Sequence, residues 1–328
     1  MSGLLSRPWL RALIPLVSVL LLGAAFNGGG AFFVWDAHRA TLREISVHGI
    51  LACGMTVVIV SAGIDLSVGS VLALAAVSFA LLTMPLGVSA PVAILTVLAI
   101  GLAAGVVSGV LVALPRIQAF IVTLAMMVFA RGLAKLLSGG QKITSAFENA
   151  AGDFVTVPQP KIFDAIDHRV LGGNLSIVTL IFLGVALITW IVLRRLRVGR
   201  YLYAVGGSYE AARLSGVPVR ATLVFAYAFA GLCSAIAGIC QAAQETQGDP
   251  ETGMGYELDA IAMVVLGGTS LAGGRGGVGL TLVGALTLGY LQKILSLNAY
   301  STEARLMLTG VIIIAAVLFQ RRMGGSAG

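Results

Sequence analysis

Between Ile45 and Pro115 the sequence offers a single Asp, Glu, Lys or Arg side chain, Asp65. A water-soluble fold does not leave so long a stretch uncharged, whereas a helix crossing a bilayer needs about 20 predominantly apolar residues. In hydrocarbon every backbone N–H and C=O must be satisfied inside the protein, which leaves helices or closed barrels. The apolar runs here are continuous rather than alternating, so they fit helices and not barrel strands. The whole chain agrees, with 58% of its residues hydrophobic and 11% charged, against about 25% charged in soluble domains. The chain reads as an all-α integral membrane protein.

Run length gives about ten spans, near 11–31, 45–62, 68–86, 91–114, 119–137, 175–193, 221–242, 257–271, 277–297 and 303–320, in one transmembrane domain over 1–328. An even count puts both termini on one side. Lys and Arg accumulate in cytoplasmic loops. One side receives Arg7, Arg11, Arg116, six arginines of 194–220, Arg275, Arg321 and Arg322; the other receives Arg39, Arg43, Lys142, Lys161, Arg169, Lys293 and Arg305. That imbalance places the N- and C-termini in the cytoplasm. Arg7 and Arg11 ahead of Ala12–Phe26 read as the flank of an uncleaved first helix rather than of a signal peptide. The long polar segment 138–174 is expected to form an extracytoplasmic cap with a short helix near Lys161–Asp167. The acidic, turn-rich loop Glu245–Tyr256 lies on the same face.

The segment Arg194–Arg220 is a polar island holding six arginines against one acid, Glu210. At its centre Tyr209–Ser215 predicts a helix of under two turns. Ser208 or Gly207 stands at its N-cap, Glu210 near its positive end and Arg213 near its negative end, and Gly216 and Pro218 close it. Helices this short are not stable alone in water, so this one must dock against something. We read it as the place where another protein grips this one.

Two breaks interrupt the helical pattern. Ala62–Ser70 (AGIDLSVGS) separates spans two and three, and Leu266–Gly279 (LGGTSLAGGRGGVG) separates spans eight and nine. In each, a β-branched run enters a Gly/Ser turn and an Ala/Leu/Gly helix leaves it, a weak internal repeat of broken helical hairpins. Span eight is short enough to be tilted or re-entrant. Asp65 marks either a pathway or a cap on span three, since a charge at the bilayer centre costs about 2.5–3.5 kcal/mol. Gly268–Arg275 approaches the spacing of a phosphate loop, but Gly274-Arg275 stands where Lys-Ser/Thr is required. Energy from ATP must therefore come from another chain. Gly101, Gly105 and Gly109 form a packing ladder on span four, and Arg131 and Lys135 are expected to snorkel to the outer interface. Cys53, Cys233 and Cys240 read as small buried residues, and no metal-ligand spacing joins His38, His48 and His168. The net charge of +7 sits in membrane loops, which argues against nucleic-acid binding. Nothing calls for a cofactor.

Four stretches, AGIDLSVGSVLALAA (62–76), QAFIVTLAMM (118–127), RYLYAVGGSYEAARLSGV (200–217) and GYELDAIAMVVLGGTSLAGGRGG (255–277), carry a resemblance. Over nearly its full length the chain resembles the permease subunits of ribose-type ATP-binding-cassette sugar importers of the bacterial inner membrane. The resemblance implies a coupling role toward an ATPase subunit for Glu210, Ala211, Ala212, Arg213, Leu214, Ser215 and Gly216. It also implies a second permease copy or related permease, a periplasmic sugar-binding protein, and alternating access driven by the ATPase. Where family members often carry Asn, this chain has Ser108 and Ser208; the latter keeps an N-cap residue. Pathway or gate candidates are Asp65, Ser67, Thr123, Glu257, Asp259, Thr269 and Ser270. The competing readings are an ion-coupled secondary transporter or channel, which needs facing intramembrane carboxylates, and a membrane enzyme, for which no catalytic set appears.

Overall fold

The computed structural model describes residues 8–148 and 153–301, with isolated positions between 303 and 311. The apolar runs fold as α1 (Pro8–Ala25), α2 (Trp35–Val60), α3 (Val68–Thr83), α4 (Ala90–Ala113) and α5 (Ala119–Ser138). The cap segment follows, then α7 (Ile177–Arg194), the island helices α8 (Arg197–Gly207) and α9 (Tyr209–Leu214), α10 (Val219–Glu245), α11 (Tyr256–Leu266) and α12 (Val278–Leu297). Six of these, α2, α4, α5, α7, α10 and α12, are long and apolar enough to cross a membrane. α3 has 16 residues and α11 only 11. At about 1.5 Å per residue, α11 covers roughly half of a 30 Å hydrocarbon core. Predicted span eight thus ends at Leu266 rather than 271, and predicted span ten, 303–320, lies mostly outside the described residues.

The cap holds α6 (Lys161–Asp167), at the expected place, and two antiparallel ribbons. β1 (Ala146–Glu148) pairs with β2 (Phe154–Thr156), and β3 (Arg169–Val170) with β4 (Leu175–Ser176). The all-α expectation therefore gives way in this segment. Its water-exposed backbone is not confined to helices as backbone in lipid is. Phe163 of α6 stacks on Phe79 of α3 with ring centroids 5.1 Å apart, and Asp167 accepts from Arg43 of α2 at 2.6 Å. We call this the cap end of the bundle and the opposite end, with 194–220, the island end.

α10 is the central helix, packed along α4, α2 and α3. Without a hydrophobic drive between helices in lipid, close packing of small residues has to hold them. Gly101 lies on Ala235 and the Gly231 carbonyl, Gly105 on Tyr227 and Ala228, and Gly109 on Val224, so the ladder's partner is α10 of the same chain. Gly54 of α2 meets Ala230 and Cys233, and Gly238 meets Leu72 and Ala75 of α3. All three cysteines are buried free thiols.

Arg131 departs from the snorkelling expectation, whereas Lys135 stays half-exposed. Arg131 donates to the carbonyls of Pro250 (2.5 Å) and Thr252 (2.7 Å), and Lys135 pairs with Glu251 at 2.6 Å. The carbonyls of an irregular turn need donors in a low-dielectric setting, and a guanidinium supplies them. The turn dips into the bundle, where Gly253 (φ 75) packs against Gly69 at the start of α3.

A methyl on Gly105 would sit 2.9 Å from the Ala228 Cα, against unyielding backbone, whereas Gly132 has open space. Gly105→Ala is expected to cost about 1–3 kcal/mol, the range for overpacking. A lowered melting temperature in detergent, with Gly132→Ala unchanged, is the result to look for.

Candidate coupling and gate site

The island is more helical than its sequence announces. α8 is amphipathic, burying Gly199, Leu202, Val205 and Gly206 while Arg197 and Arg200 stay exposed. Gly199 lets α8 fold back onto the carbonyls of Val192 and Leu193 at the end of α7. α8 ends at Gly207, and Ser208 caps α9 by accepting from the Ala211 N–H at 3.3 Å. Gly216 turns the chain out of α9 with φ 78.

α9 has one inward residue. Ala212 is buried in a cluster with Ala113 of α4, Val205 of α8 and Val219 and Leu223 of α10. Glu210, Ala211, Arg213, Leu214, Ser215 and Gly216 are all exposed. Arg213 binds Glu210 through Nε at 2.9 Å and Nη2 at 2.8 Å. Leu214 is 79% exposed, an apolar side chain on an otherwise polar helix. Behind α9 lies a cleft of ≈ 390 Å³ lined by Ser61, Ala62, Gly63, Tyr209, Glu210 and Tyr227, among others. The Arg116 guanidinium lies over the Tyr209 ring at 5.2 Å.

The end of α8 is where the two broken hairpins meet. The Gly274 N–H donates to the Val60 carbonyl at 2.9 Å, joining the 267–277 turn to the end of α2. Gly206 sits on both partners of that bond, so close that a Cβ would overlap the Val60 oxygen. Gly273 (φ 82) packs on Ala62 and the Gly206 carbonyl, and Gly274 (φ 68) on Gly207. Tyr203 of α8 donates to the Gly276 carbonyl at 2.9 Å. Positive φ at consecutive glycines costs little, and absent side chains let three backbones touch.

The sequence-predicted pathway residues separate into groups around this junction. Asp65 accepts from the N–H and Oγ–H of Ser67 at 2.9 and 2.6 Å. Ser67 itself occupies the N-cap position of α3, so Asp65 fixes the turn one step upstream of a direct cap. Thr123 is buried beside the same turn, donating to the Ala119 carbonyl at 2.9 Å. Thr269 and Ser270 lie in the other turn. Thr269 accepts from the Gly277 N–H at 3.3 Å, and the Ser270 N–H donates to the Arg275 carbonyl at 3.0 Å. Glu257 lies by Gly69, where α3 and α11 begin. Asp259 stands apart, 3.7 Å from His48 of α2. Sequence reasoning missed α8, Tyr203 and Tyr227, whose hydroxyl donates to the Ile64 carbonyl at 3.4 Å. The apolar spacing of Leu202 and Val205 was the available signal for α8.

Gly206→Ala is expected to break the Gly274-to-Val60 hydrogen bond, while Gly207, with nothing near its missing Cβ, tolerates alanine. Hydrogen exchange across 267–277 is expected to speed up in Gly206→Ala and stay unchanged in Gly207→Ala.

Comparison with known proteins shows the family of the chain. Residues 39–317 match the family described as branched-chain amino acid transport system / permease component. The ribose import permease protein of Escherichia coli strain K12 is 40% identical over 97% of this chain and 96% of its own length. Its Bacillus subtilis strain 168 counterpart is 38% identical over 86% and 83%. The L-arabinose transport system permease protein of Escherichia coli strain K12 is 37% identical over 84% and 80%. No solved structure matches the chain. With the family matched over most of its length and relatives aligned nearly end to end, the chain belongs to the family of permease components of branched-chain amino acid transport systems.

Proposed function

We propose that the chain is the membrane-spanning subunit of an ATP-driven sugar importer of the bacterial inner membrane. It forms a single permease domain over 1–328, with ten spans and both termini in the cytoplasm. It works beside a second permease copy or related permease, with a separate ATP-binding-cassette ATPase at the island end and a sugar-binding protein at the cap end. Relatives named for ribose, galactofuranose and L-arabinose support a monosaccharide as cargo.

The observation that carries the reading is the exposed α9 built onto the glycine junction. Glu210, Ala211, Arg213, Leu214, Ser215 and Gly216 offer the ATPase a short helix to grip, and Ala212 keys that helix into the bundle. When ATP closes the ATPase, movement of α9 reaches Gly206 within a few residues. It then passes to the 61–67 turn, holding Asp65, Ser67 and the neighbouring Thr123, and to the 267–277 turn, holding Thr269 and Ser270. Those turns begin the broken helices that gate the pathway, and Glu257 lies where these helices meet. The permease itself carries out no chemical step. Coupling to an ion gradient needs carboxylates facing one another, and Asp65 is engaged by Ser67 instead.

Exposed ion pairs at this helical spacing contribute about 0.3–0.5 kcal/mol, so reversing Arg213 barely affects folding. Arg213→Glu is expected to abolish transport and ATPase stimulation while membrane insertion is retained. Leu214→Asp is expected to reduce co-purification of the ATPase. Uptake in proteoliposomes must require ATP; uptake driven by a sodium or proton gradient alone would contradict the function.

A further inference from the structure

Six arginines crowd 194–220, yet the coupling site engages only Arg213. Four of the others, Arg194, Arg195, Arg197 and Arg200, surround the elbow where α7 passes into α8, and all four are exposed. Gly199 brings them together. Its close approach to the Val192 and Leu193 carbonyls lays the first turn of α8 on the last turn of α7. Among the described residues no carboxylate forms an ion pair with any of the four. Glu210, the one acid of the island, is held by Arg213, and Asp65 is buried and engaged by Ser67. Four such cations within 194–200 attract an anion from outside the chain.

The surroundings of the elbow belong to the bilayer. α7 carries an exposed apolar flank at helical spacing, Leu180, Leu183, Leu187 and Ile191, with Trp190 beside its end at 40% exposure. Amphipathic Trp rings sit at the headgroup level of a membrane. The Arg195 guanidinium lies over the Trp190 ring, 5.5 Å from its centroid. Its side chain therefore folds back along α7 toward the lipid flank rather than forward into water. Leu196, 46% exposed between Arg195 and Arg197, adds apolar surface at the same level. A second copy of the chain offers no counter-charge, because its own 194–220 carries the same six arginines and single acid.

We propose that the α7–α8 elbow binds the headgroup phosphate of an anionic phospholipid in the leaflet at the island end. Arg195, braced on Trp190, and Arg197 are its ligands, with Arg194 and Arg200 flanking them. A guanidinium presents paired N–H donors that match phosphate oxygens, and the acyl chains lie along the apolar flank of α7. Clustered arginines just outside a spanning helix have the charge that anionic headgroups complement. The site is separate from the exposed face of α9 and independent of the cargo. A headgroup held there fixes the start of α8, the helix whose other end is the Gly206 junction.

The test titrates the delipidated full-length chain in detergent with phosphatidylglycerol or phosphatidylcholine of identical acyl chains and reads bound lipid by native mass spectrometry. Phosphatidylglycerol is expected to bind at least about fivefold tighter, the effect of one arginine near an anionic surface. Arg195→Gln and, separately, Arg197→Gln are each expected to weaken phosphatidylglycerol about fivefold. Trp190→Ala is expected to weaken it and Trp190→Phe to retain it, because a phenyl ring still braces Arg195. Arg213→Gln removes the same charge from α9 and is expected to leave lipid affinity unchanged. The substituted side chains are exposed, and an unchanged melting temperature in detergent confirms that each variant folds. The inference is overturned if phosphatidylcholine binds the wild-type chain equally well, or if Arg213→Gln weakens phosphatidylglycerol as much as Arg195→Gln does. Displacement of the lipid by an equal concentration of inorganic phosphate would reduce the elbow to a free-anion site and also overturn it. So would loss of ATPase co-purification in Arg195→Gln with phosphatidylglycerol binding intact, which would make the elbow a protein contact.

Discussion

Three pieces of backbone touch at Gly206, which has no room for a methyl group. The end of α2, the 267–277 turn and the last turn of α8 are far apart in sequence, yet two hydrogen bonds and the contacts of Gly206, Gly273 and Gly274 weld them together. Packed backbone of this kind is stiff, because atoms already in contact cannot be compressed. Under the proposed coupling role of α9, a push on that helix would arrive at the hairpin turns as displacement rather than being absorbed by side-chain rearrangement.

The same economy of side chains builds the rest of the bundle. α10 holds α4 through the ladder Gly101, Gly105 and Gly109 and holds α2 and α3 through Gly54 and Gly238. Bilayer solvent gives these helices no hydrophobic reason to associate, so van der Waals contact between backbones substitutes for it. Where backbone leaves helical geometry, fixed side chains satisfy it: Arg131 donates to the Pro250 and Thr252 carbonyls, the Asp65 carboxylate accepts from the Ser67 N–H, and Tyr203 donates to the Gly276 carbonyl.

Much of this was legible in the residues. Ser208 before Glu210 announced a capped short helix, the four-residue glycine spacing announced a packing face, and 161–167 carried a helix in the cap. The departures have physical causes. Arg131 looked like an interfacial arginine because its partners are carbonyls over a hundred residues away, and carbonyls leave no trace in composition. α8 was hidden by its arginines, which mask an apolar face of only a few positions. The meeting of the two turns was invisible because the contact is between backbones. Asp259 stood out as a carboxylate near an apolar run, whereas His48 became its neighbour only through the packing of α11 on α2.

The central claim is that α9 and both hairpin turns move as one body. Spin labels at Ala211→Cys on α9 and Leu271→Cys in the 267–277 turn, both exposed positions, measure it by pulsed dipolar spectroscopy with the ATPase bound. The account predicts an unchanged distance between these labels in nucleotide-free and ATP-bound states, while each changes its distance to a label at Val107→Cys on α4. A distance between 211 and 271 that varies with nucleotide, or 271 staying fixed to 107 while 211 moves, would contradict it.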